Sequence, residues 1–304
     1  MNAVAGAVSP FSLALRRFLG HRMAVGCGLF LVLVALLVAA APFIAAIVGI
    51  DPEQVNLLAR FQPPSAAHLL GTDELGRDLL LRLLLGGQVS LLIGLTGALT
   101  AAIIGTAVGL VAGFIGGRLD DFLMRLTDSV IALPVLPLLI VLAAIDLEKA
   151  GIPEAIARSE HVGLIRITVI VALFGWVKVA RLVRAAALAA RDRDYVLAAR
   201  SLGASRLRIM ALHILPNAAG PIVVATTLSV GNVILLESVL SFLGLGIQPP
   251  VPSWGNMLTN AQELIWTAPM LAILPGLAIF LTVIAVNFLG DGLQDALDPR
   301  SERR

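Results

Sequence analysis

Six apolar segments, each close to the length that crosses a lipid bilayer, limit this chain to one class of fold. A membrane-spanning helix needs roughly 20 predominantly apolar residues. The segments that come close to this length are 23–48, 89–115, 129–146, 163–183, 218–246 and 270–290. Hydrophobic residues make up 58% of the chain and charged residues 14%, against roughly 45–50% and 25% in a water-soluble domain. We therefore expect an all-α integral membrane protein with six transmembrane helices.

Two of these segments depart from a plain spanning helix. Pro134 and Pro137 interrupt the third segment, which a membrane helix tolerates when neighbouring groups satisfy the freed backbone. The first segment follows several arginines and contains Ala39-Ala40-Ala41, which resembles a signal-peptide cleavage site. It is nevertheless uncharged from Met23 to Ile50, whereas the apolar region of a signal peptide has only about 7–15 residues. We interpret it as an uncleaved first membrane helix.

Lysine and arginine residues are concentrated on one side of the predicted helices. Sixteen of the 22 lie in the N-terminal segment, the second and fourth connections and the C-terminal tail. Because positively charged connections stay in the cytoplasm, both termini are predicted to be cytoplasmic. These basic residues alternate with lipid-length segments instead of forming one soluble face, so we expect no nucleic-acid partner.

The order of apolar segments and basic connections divides the chain into three parts. Residues 1–88 hold the N-terminal cytoplasmic segment, the first transmembrane helix and an outer-side connection. Residues 89–296 form a five-helix core with a cytoplasmic loop at about 190–217, and residues 297–304 form a cytoplasmic tail.

Residue patterns typical of catalysis are missing from the sequence. It has no G-x-x-x-x-G-K-[ST] phosphate loop, no G-x-S-x-G elbow and only four scattered histidines. The single cysteine, Cys27, permits no internal disulfide and reads as a small buried hydrophobic residue. We expect no catalytic residue, no metal site and no cofactor in this chain.

The polar stretch Asp192–Pro221 is too charged to span a membrane and predicts two short cytoplasmic helices. The first is expected to end at Leu202, with Gly203 in the left-handed position that follows a helix. Ser205 is expected to cap the second, and Pro216 to end it.

One face of the second helix is apolar. Leu207, Met210 and Ile214 recur at the spacing of a helical face. The spacing leaves two interpretations open: the face enters a groove of a partner protein, or it lies on lipid headgroups.

The same stretch resembles the cytoplasmic EAA loop of ABC-importer permeases. The resemblance is an A-A-x-x-x-G pattern followed by nine residues and x-x-L-P, with Leu197 where the family often has Glu and His213 where it often has Ile. In that family the loop is the coupling helix that docks into the ATPase subunit. The resemblance therefore implies coupling contacts by Ala198, Ala199, Gly203, Ala204, Leu207, Met210, Leu215 and Pro216.

Three further stretches resemble the C-type permease of dipeptide and oligopeptide transporters. They are LLGTDELGRDLLLRLLLGGQVSL at 69–91, ESVLSFLGLGIQPPVPSWGNML at 237–258 and NFLGDGLQDALDPR at 287–300. The resemblance extends over nearly the whole chain. Nickel and glutathione importers share this signature, so it specifies the family more closely than the substrate.

This resemblance implies a type I ABC-importer permease fold in the inner membrane of a bacterium. It implies a second homologous permease subunit, two ATPase subunits that bind ATP and Mg²⁺, an extracytoplasmic solute-binding protein and a peptide substrate. The rival from another class is an ion-coupled secondary transporter. That rival would carry several ionisable residues within its membrane helices, whereas Glu237 is the one clear intramembrane acid.

Two outer-side stretches carry candidate contacts with a binding protein. In the first, which holds Asp73 and Arg77, we expect Thr72 or Asp73 to cap a helix and Asp78 to pair with Arg82. Two interpretations stay open: these residues cap the helix structurally, or they contact a partner protein at the outer rim.

The second outer stretch is the proline-rich loop Gln248–Met257, which holds Trp254 and Asn256. Trp254 and Trp266 suit a membrane interface. Contact of this loop with the binding protein is the alternative.

Glu237 and Asn232 are the candidate pore residues. A charge at the bilayer centre costs about 2.5–3.5 kcal/mol even on lenient scales, so Glu237 is expected to face protein or water. It would either lie near a substrate amine or form a packing hydrogen bond, for which Asn232 is the candidate partner. Lys178 and Arg181 are interpreted as cationic anchors at the inner end of the fourth span.

Overall fold

The computed structural model describes residues 10–51, 54–146, 148–149, 151, 153–154 and 160–297. The predicted cytoplasmic tail therefore lies outside the described residues, apart from its first residue, Leu297. Within the described part, the regular elements are helices and short helical turns: α1 Pro10–Gly20, α2 Arg22–Ala39, α3 Ala41–Val48, α4 Leu79–Ile115, α5 Gly117–Ala132, α6 Val135–Ala144, α7 Glu160–Arg191, α8 Asp194–Ser201, α9 Arg206–Ile209, α10 Leu215–Phe242, α11 Ala261–Leu264 and α12 Met270–Leu297.

The long apolar helices match the segments that the sequence predicts. Five stretches are long and apolar enough to cross a membrane: α2, α4, Val162–Arg191 within α7, Arg206–Phe242, and α12. A sixth span is possible if α5 and α6 count together, although they meet at an angle of 84°. The bend lies at Pro134, which has no N–H to continue the helical hydrogen bonds. The structure thus agrees with an all-helical membrane fold of up to six spans.

Helices α4 and α7 approach each other more closely than side chains would permit. Gly105, Gly109 and Gly113 recur every four residues on one face of α4. A Cβ atom at these positions would lie 2.5, 2.5 and 2.6 Å, respectively, from backbone oxygens of α7. Small residues let membrane helices pack backbone against backbone, so this stripe joins α4 and α7 into one body.

Replacing Gly109 with alanine is expected to destabilise the protein by about 1–3 kcal/mol, the usual cost of overpacking. The added Cβ would lie 2.5 Å from the backbone oxygen of Ala180, which cannot rotate away. The matched control is Gly276→Ala on α12, where a Cβ meets nothing within 4 Å. Thermal unfolding of the purified detergent complexes should show a lower melting temperature for Gly109→Ala alone; equal melting temperatures would contradict the packing argument.

One predicted helix boundary is wrong. Pro216 does not end a helix, because residues 206–242 form a continuous helical stretch through a π-helical turn, Met210–Ile214. Pro216 stands in the first turn of α10, where its missing N–H leaves no helical bond unmade. The loop that the sequence places beside the membrane is therefore directly continuous with the fifth span.

Candidate functional site

The segment between α7 and α10, which we call the coupling segment (residues 192–214), turns sharply at its centre. Helix α8 ends at Ser201, and Gly203 follows with a φ of +79°. The Oγ of Ser205 accepts a hydrogen bond of 3.3 Å from the backbone N–H of Arg208 and caps α9. The predicted left-handed glycine and the predicted serine cap are both confirmed.

The coupling segment has an inner and an outer face. Its inner face packs against α4 and α7 and comprises Val196, Ala199, Ile209, Met210 and Ile214. On its outer face the most exposed large apolar side chains are Leu202 at 88% and Leu207 at 76%. Apolar side chains this exposed at the end of a helical bundle suit contact with a partner protein or with lipid headgroups.

The residues predicted to couple are divided between these two faces. Ala199 and Met210 pack inside the chain itself, with exposures of 9% and 7%. The remaining members reach the surface fully or partly: Ala198, Gly203, Ala204, Leu207, Leu215 and Pro216. The predicted apolar face is split in the same way, because Met210 and Ile214 point inward while Leu207 points outward. Sequence reasoning missed Leu202, whose position next to the left-handed glycine was the available signal.

A positively charged cleft of about 690 Å³ lies beside the outer face. Arg191, Arg200 and Arg206 line it, together with Asp192 and Ser205. Three guanidinium groups against one carboxylate leave the cleft cationic. Such a cleft suits acidic side chains of a partner, because arginine binds carboxylates with two hydrogen bonds.

Glu237 lies at the opposite end of α10 and is completely buried. It accepts hydrogen bonds from Ser90 Oγ of α4 at 3.0 Å and from Ser241 Oγ at 2.7 Å. These hydroxyls in turn accept from the backbone N–H groups of Trp254 and Ile247, both at 3.1 Å. Glu237 therefore links α4, α10 and the loop that follows α10.

The predicted pairing of Glu237 with Asn232 is wrong. Five residues of helix separate them, which rotates Asn232 by about 140° away from Glu237. Asn232 is exposed, and its amide donates to the backbone oxygen of Leu228 at 3.3 Å. A pore role for either residue stays a prediction, and the burial of Glu237 favours the alternative of a packing group.

Replacing Glu237 with glutamine should preserve both transport and assembly. The serine hydroxyls can rotate to donate to, or accept from, an amide of the same shape. Glu237→Ala should instead cost about 1–3 kcal/mol, because buried hydroxyl groups lose their partner. Uptake assays and thermal unfolding of both variants check this. A raised apparent substrate constant in Glu237→Gln, with intact assembly, would point to substrate contact instead.

The proline-rich loop is held inward by the two residues proposed to contact a binding protein. Trp254 is 2% exposed, and its indole N–H donates to the backbone oxygen of Leu83 at 2.9 Å. The amide of Asn256 donates to the oxygens of Ile247 and Val251 at 3.2 and 2.7 Å. The indole of Trp254 is therefore not available to anchor the loop in lipid headgroups, whereas Trp266 is 90% exposed. Direct binding-protein contact by Trp254 and Asn256 stays a prediction.

A buried ionic network holds the loop before α4. Asp73 accepts from Arg77 Nε at 2.7 Å and lies 3.4 Å from Arg82 Nε. All three side chains are less than 10% exposed. A cavity of about 270 Å³ separates this network from the proline-rich loop. Glu74 also lines it, and burial, together with the charge of Asp73, raises the pKa of its carboxyl.

The predicted pairing of Asp78 with Arg82 and the predicted helix cap at Thr72 or Asp73 are both wrong. Arg82 lies against Asp73 and not against Asp78. Asp78 instead caps α4 by accepting from the N–H of Leu81 at 2.8 Å, and it also contacts His68 at 2.9 Å. A contact of Asp73 or Arg77 with a binding protein stays a prediction, since both side chains are buried in this chain.

Sequence reasoning also missed two carboxylates of α5. Asp120 accepts from Arg184 Nε and Nη2 at 2.5 and 2.7 Å. Asp128 pairs with Arg181, which is therefore an ion-pair partner and not only the cationic anchor that was predicted. Alternating acids on α5 and basic residues on α7 were the signal, but the sequence does not show which elements are neighbours.

Long apolar helices joined by buried polar links, with a polar segment continuous with two of them, are the arrangement of an α-helical membrane protein. The family described as binding-protein-dependent transport system inner membrane component matches residues 105–303. Residues 9–64 match the N-terminal transmembrane domain of oligopeptide transport permease C. The chain belongs to the binding-protein-dependent inner membrane component family and is a multi-pass membrane protein.

Relatives cover almost the whole chain. The di/tripeptide permease DppC of Pseudomonas aeruginosa is 41% identical over 96% of this chain and 93% of its own length. The oligopeptide permease OppC of Bacillus subtilis is 37% identical over 94% and 88%. The glutathione permease GsiD of Pectobacterium atrosepticum is 41% identical over 94% and 89%.

Proposed function

We propose that this chain is one permease subunit of an ATP-driven importer for di- or oligopeptides in the bacterial cytoplasmic membrane. The observation that carries the proposal is the coupling segment, with exposed Leu202 and Leu207 beside a cationic cleft. Such a surface suits a soluble partner that delivers energy from outside the bilayer. The names of the relatives from Pseudomonas and Bacillus support peptides as the substrate class.

The proposed assembly contains a second, homologous permease, two ATPase subunits and an extracytoplasmic solute-binding protein. ATP and Mg²⁺ would be bound by the ATPases, which dock on the outer face of the coupling segment. Closure of the ATPases would move this segment, and α7 and α10, which are continuous with it, would carry the movement into the membrane. The pore would then alternate between its inward and outward openings, and substrate would enter from the binding protein.

The same machinery could carry another small solute, and glutathione is supported by the name of the relative from Pectobacterium. Uptake of a labelled dipeptide should be measured in cells that lack or express this chain together with its partner subunits. Uptake that depends on the chain and is reduced by unlabelled oligopeptides supports the proposal. Competition by glutathione or Ni²⁺, without competition by peptides, would assign a different substrate.

The proposed topology places both termini and the coupling segment in the cytoplasm, as the asymmetry of basic residues predicts. A reporter enzyme that works only in the cytoplasm should be active when it is inserted after Gly203. A reporter enzyme that works only outside the cytoplasm should be active when it is inserted within residues 250–256. Gly203 and the proline-rich loop lie at opposite ends of α10, so the reverse pattern at both positions would refute the orientation.

A further inference from the structure

Helix α5 is attached to the rest of the chain by polar groups as well as by apolar packing. Val130 packs against a buried apolar cluster of α7, whereas the two buried residues of α5, Asp120 and Thr127, are polar. Several of its large apolar side chains are exposed: Leu119 by 39%, Phe122 by 64% and Leu126 by 44%. The hydroxyl of Thr127 donates to the backbone of Met124 within the same helix. The polar part of the attachment therefore rests on the carboxylates of α5.

Those carboxylates meet arginines of a single neighbouring helix, α7. Asp120 receives two hydrogen bonds from Arg184, at 2.5 and 2.7 Å. Asp128, two turns further along α5, pairs with Arg181. The two guanidinium–carboxylate bonds of Asp120 with Arg184 fix orientation as well as distance. The single bond of Asp128 with Arg181 adds a second, more exposed point of attachment.

Both ends of α5 are places where the chain changes direction. Gly116 and Gly117 precede it with φ values of +71° and +62°, a backbone region that glycine adopts without strain. Pro134 follows it, at the 84° bend to α6. A rigid helix between two such points can rotate when a few backbone dihedrals change.

Helix α7 belongs to the body that carries the coupling segment. The glycine stripe fixes it to α4, and at Arg191 it leads into residues 192–214. The contacts of α5 with this body are therefore a route by which movement at the coupling segment reaches α5, beside the direct apolar packing of α6 on α7.

We propose that Asp120 and Asp128 are positioning residues through which α7 holds and moves α5 during transport. The two ion pairs are a mechanical link between the coupling segment and α5. This role rests on the proposed function for its consequence in transport, but the attachment itself is a property of the chain that can be measured without transport.

The attachment is tested by a distance measurement between spin labels. Cys27 is the only cysteine of the chain, so Cys27→Ser gives a background for labels at Phe122 on α5 and Leu182 on α7, both exposed. The complex should show one narrow distance distribution. The double substitution Asp120→Asn, Asp128→Asn should broaden this distribution or shift it to longer distances. Asp121 is an exposed acid on the same helix, and Asp121→Asn should leave the distribution narrow.

The consequence for transport is tested by exchanging the charges. Asp128→Arg or Arg181→Asp alone should lower uptake per ATP hydrolysed by about two- to fivefold, the scale of coupling in an exposed ion pair. The double exchange should restore most of it, because the pair is rebuilt in reverse. An unchanged distance distribution in the double asparagine variant, or a double exchange no better than the single ones, would overturn the proposal. Absence of uptake by the parental complex would refute the proposed function. The attachment of α5 to α7 would then still be tested by the distance measurement.

Discussion

Replacing Asp73 with asparagine is expected to destabilise the protein by about 3–5 kcal/mol, the usual effect of removing one partner from a buried ion pair. Asn would preserve the shape of the side chain but not its charge. Arg77 and Arg82 would then both stay buried without the carboxylate that they share. The melting temperature of the purified complex should fall by about 10 °C.

The neighbouring acid is the matched control for this change. Burial raises the pKa of Glu74, which means that its ionised form opposes folding and does so increasingly as the pH rises through that raised pKa. Glu74→Gln should therefore leave the melting temperature unchanged or raise it at neutral pH. A fall as large as that of Asp73→Asn would show that the loop before α4 tolerates no change of charge, and the network argument would fail.

The double substitution Leu202→Asp and Leu207→Asp is expected to abolish binding of the ATPase subunits. Burial of each leucine in a partner is worth about 1.5–3 kcal/mol, so losing both weakens binding by at least about a hundredfold. Folding should be preserved, because these side chains are 88% and 76% exposed. Co-purification with a tagged ATPase measures the effect.

The control for docking lies at the other end of the molecule. Leu58, 97% exposed in the loop before α4, should accept aspartate without loss of the ATPases. Retention of the ATPases by the double variant would show that they dock elsewhere.

Ala199 is unsuitable for this test because a bulky residue there would disrupt the inner face, whereas Ala198 is exposed and Ala198→Trp tests the surface alone.

Local rules were sufficient for the features that depend on neighbouring residues. Lipid-length apolar segments predicted the spans, and single-residue preferences predicted the left-handed Gly203 and the cap at Ser205. Both features are set within a few residues, where backbone geometry and short-range hydrogen bonds decide the conformation.

Contacts between distant residues could not be derived from the sequence. Ser90 is 147 residues from Glu237, and Arg184 is 64 residues from Asp120. Both acids were visible, but their partners depend on which helices pack together. Met210 shows the same limit, because a helical face predicts burial without deciding whether the chain itself or a partner covers it.

The most direct test of the account is uptake by the reconstituted complex in sealed vesicles. The permease pair, its ATPases and the binding protein should accumulate labelled peptide only when ATP is present on the ATPase side and binding protein on the other. The Leu202→Asp, Leu207→Asp variant should accumulate none. Accumulation driven by an ion gradient, in vesicles that hold this chain without ATPase subunits or ATP, would contradict the account and identify a secondary transporter.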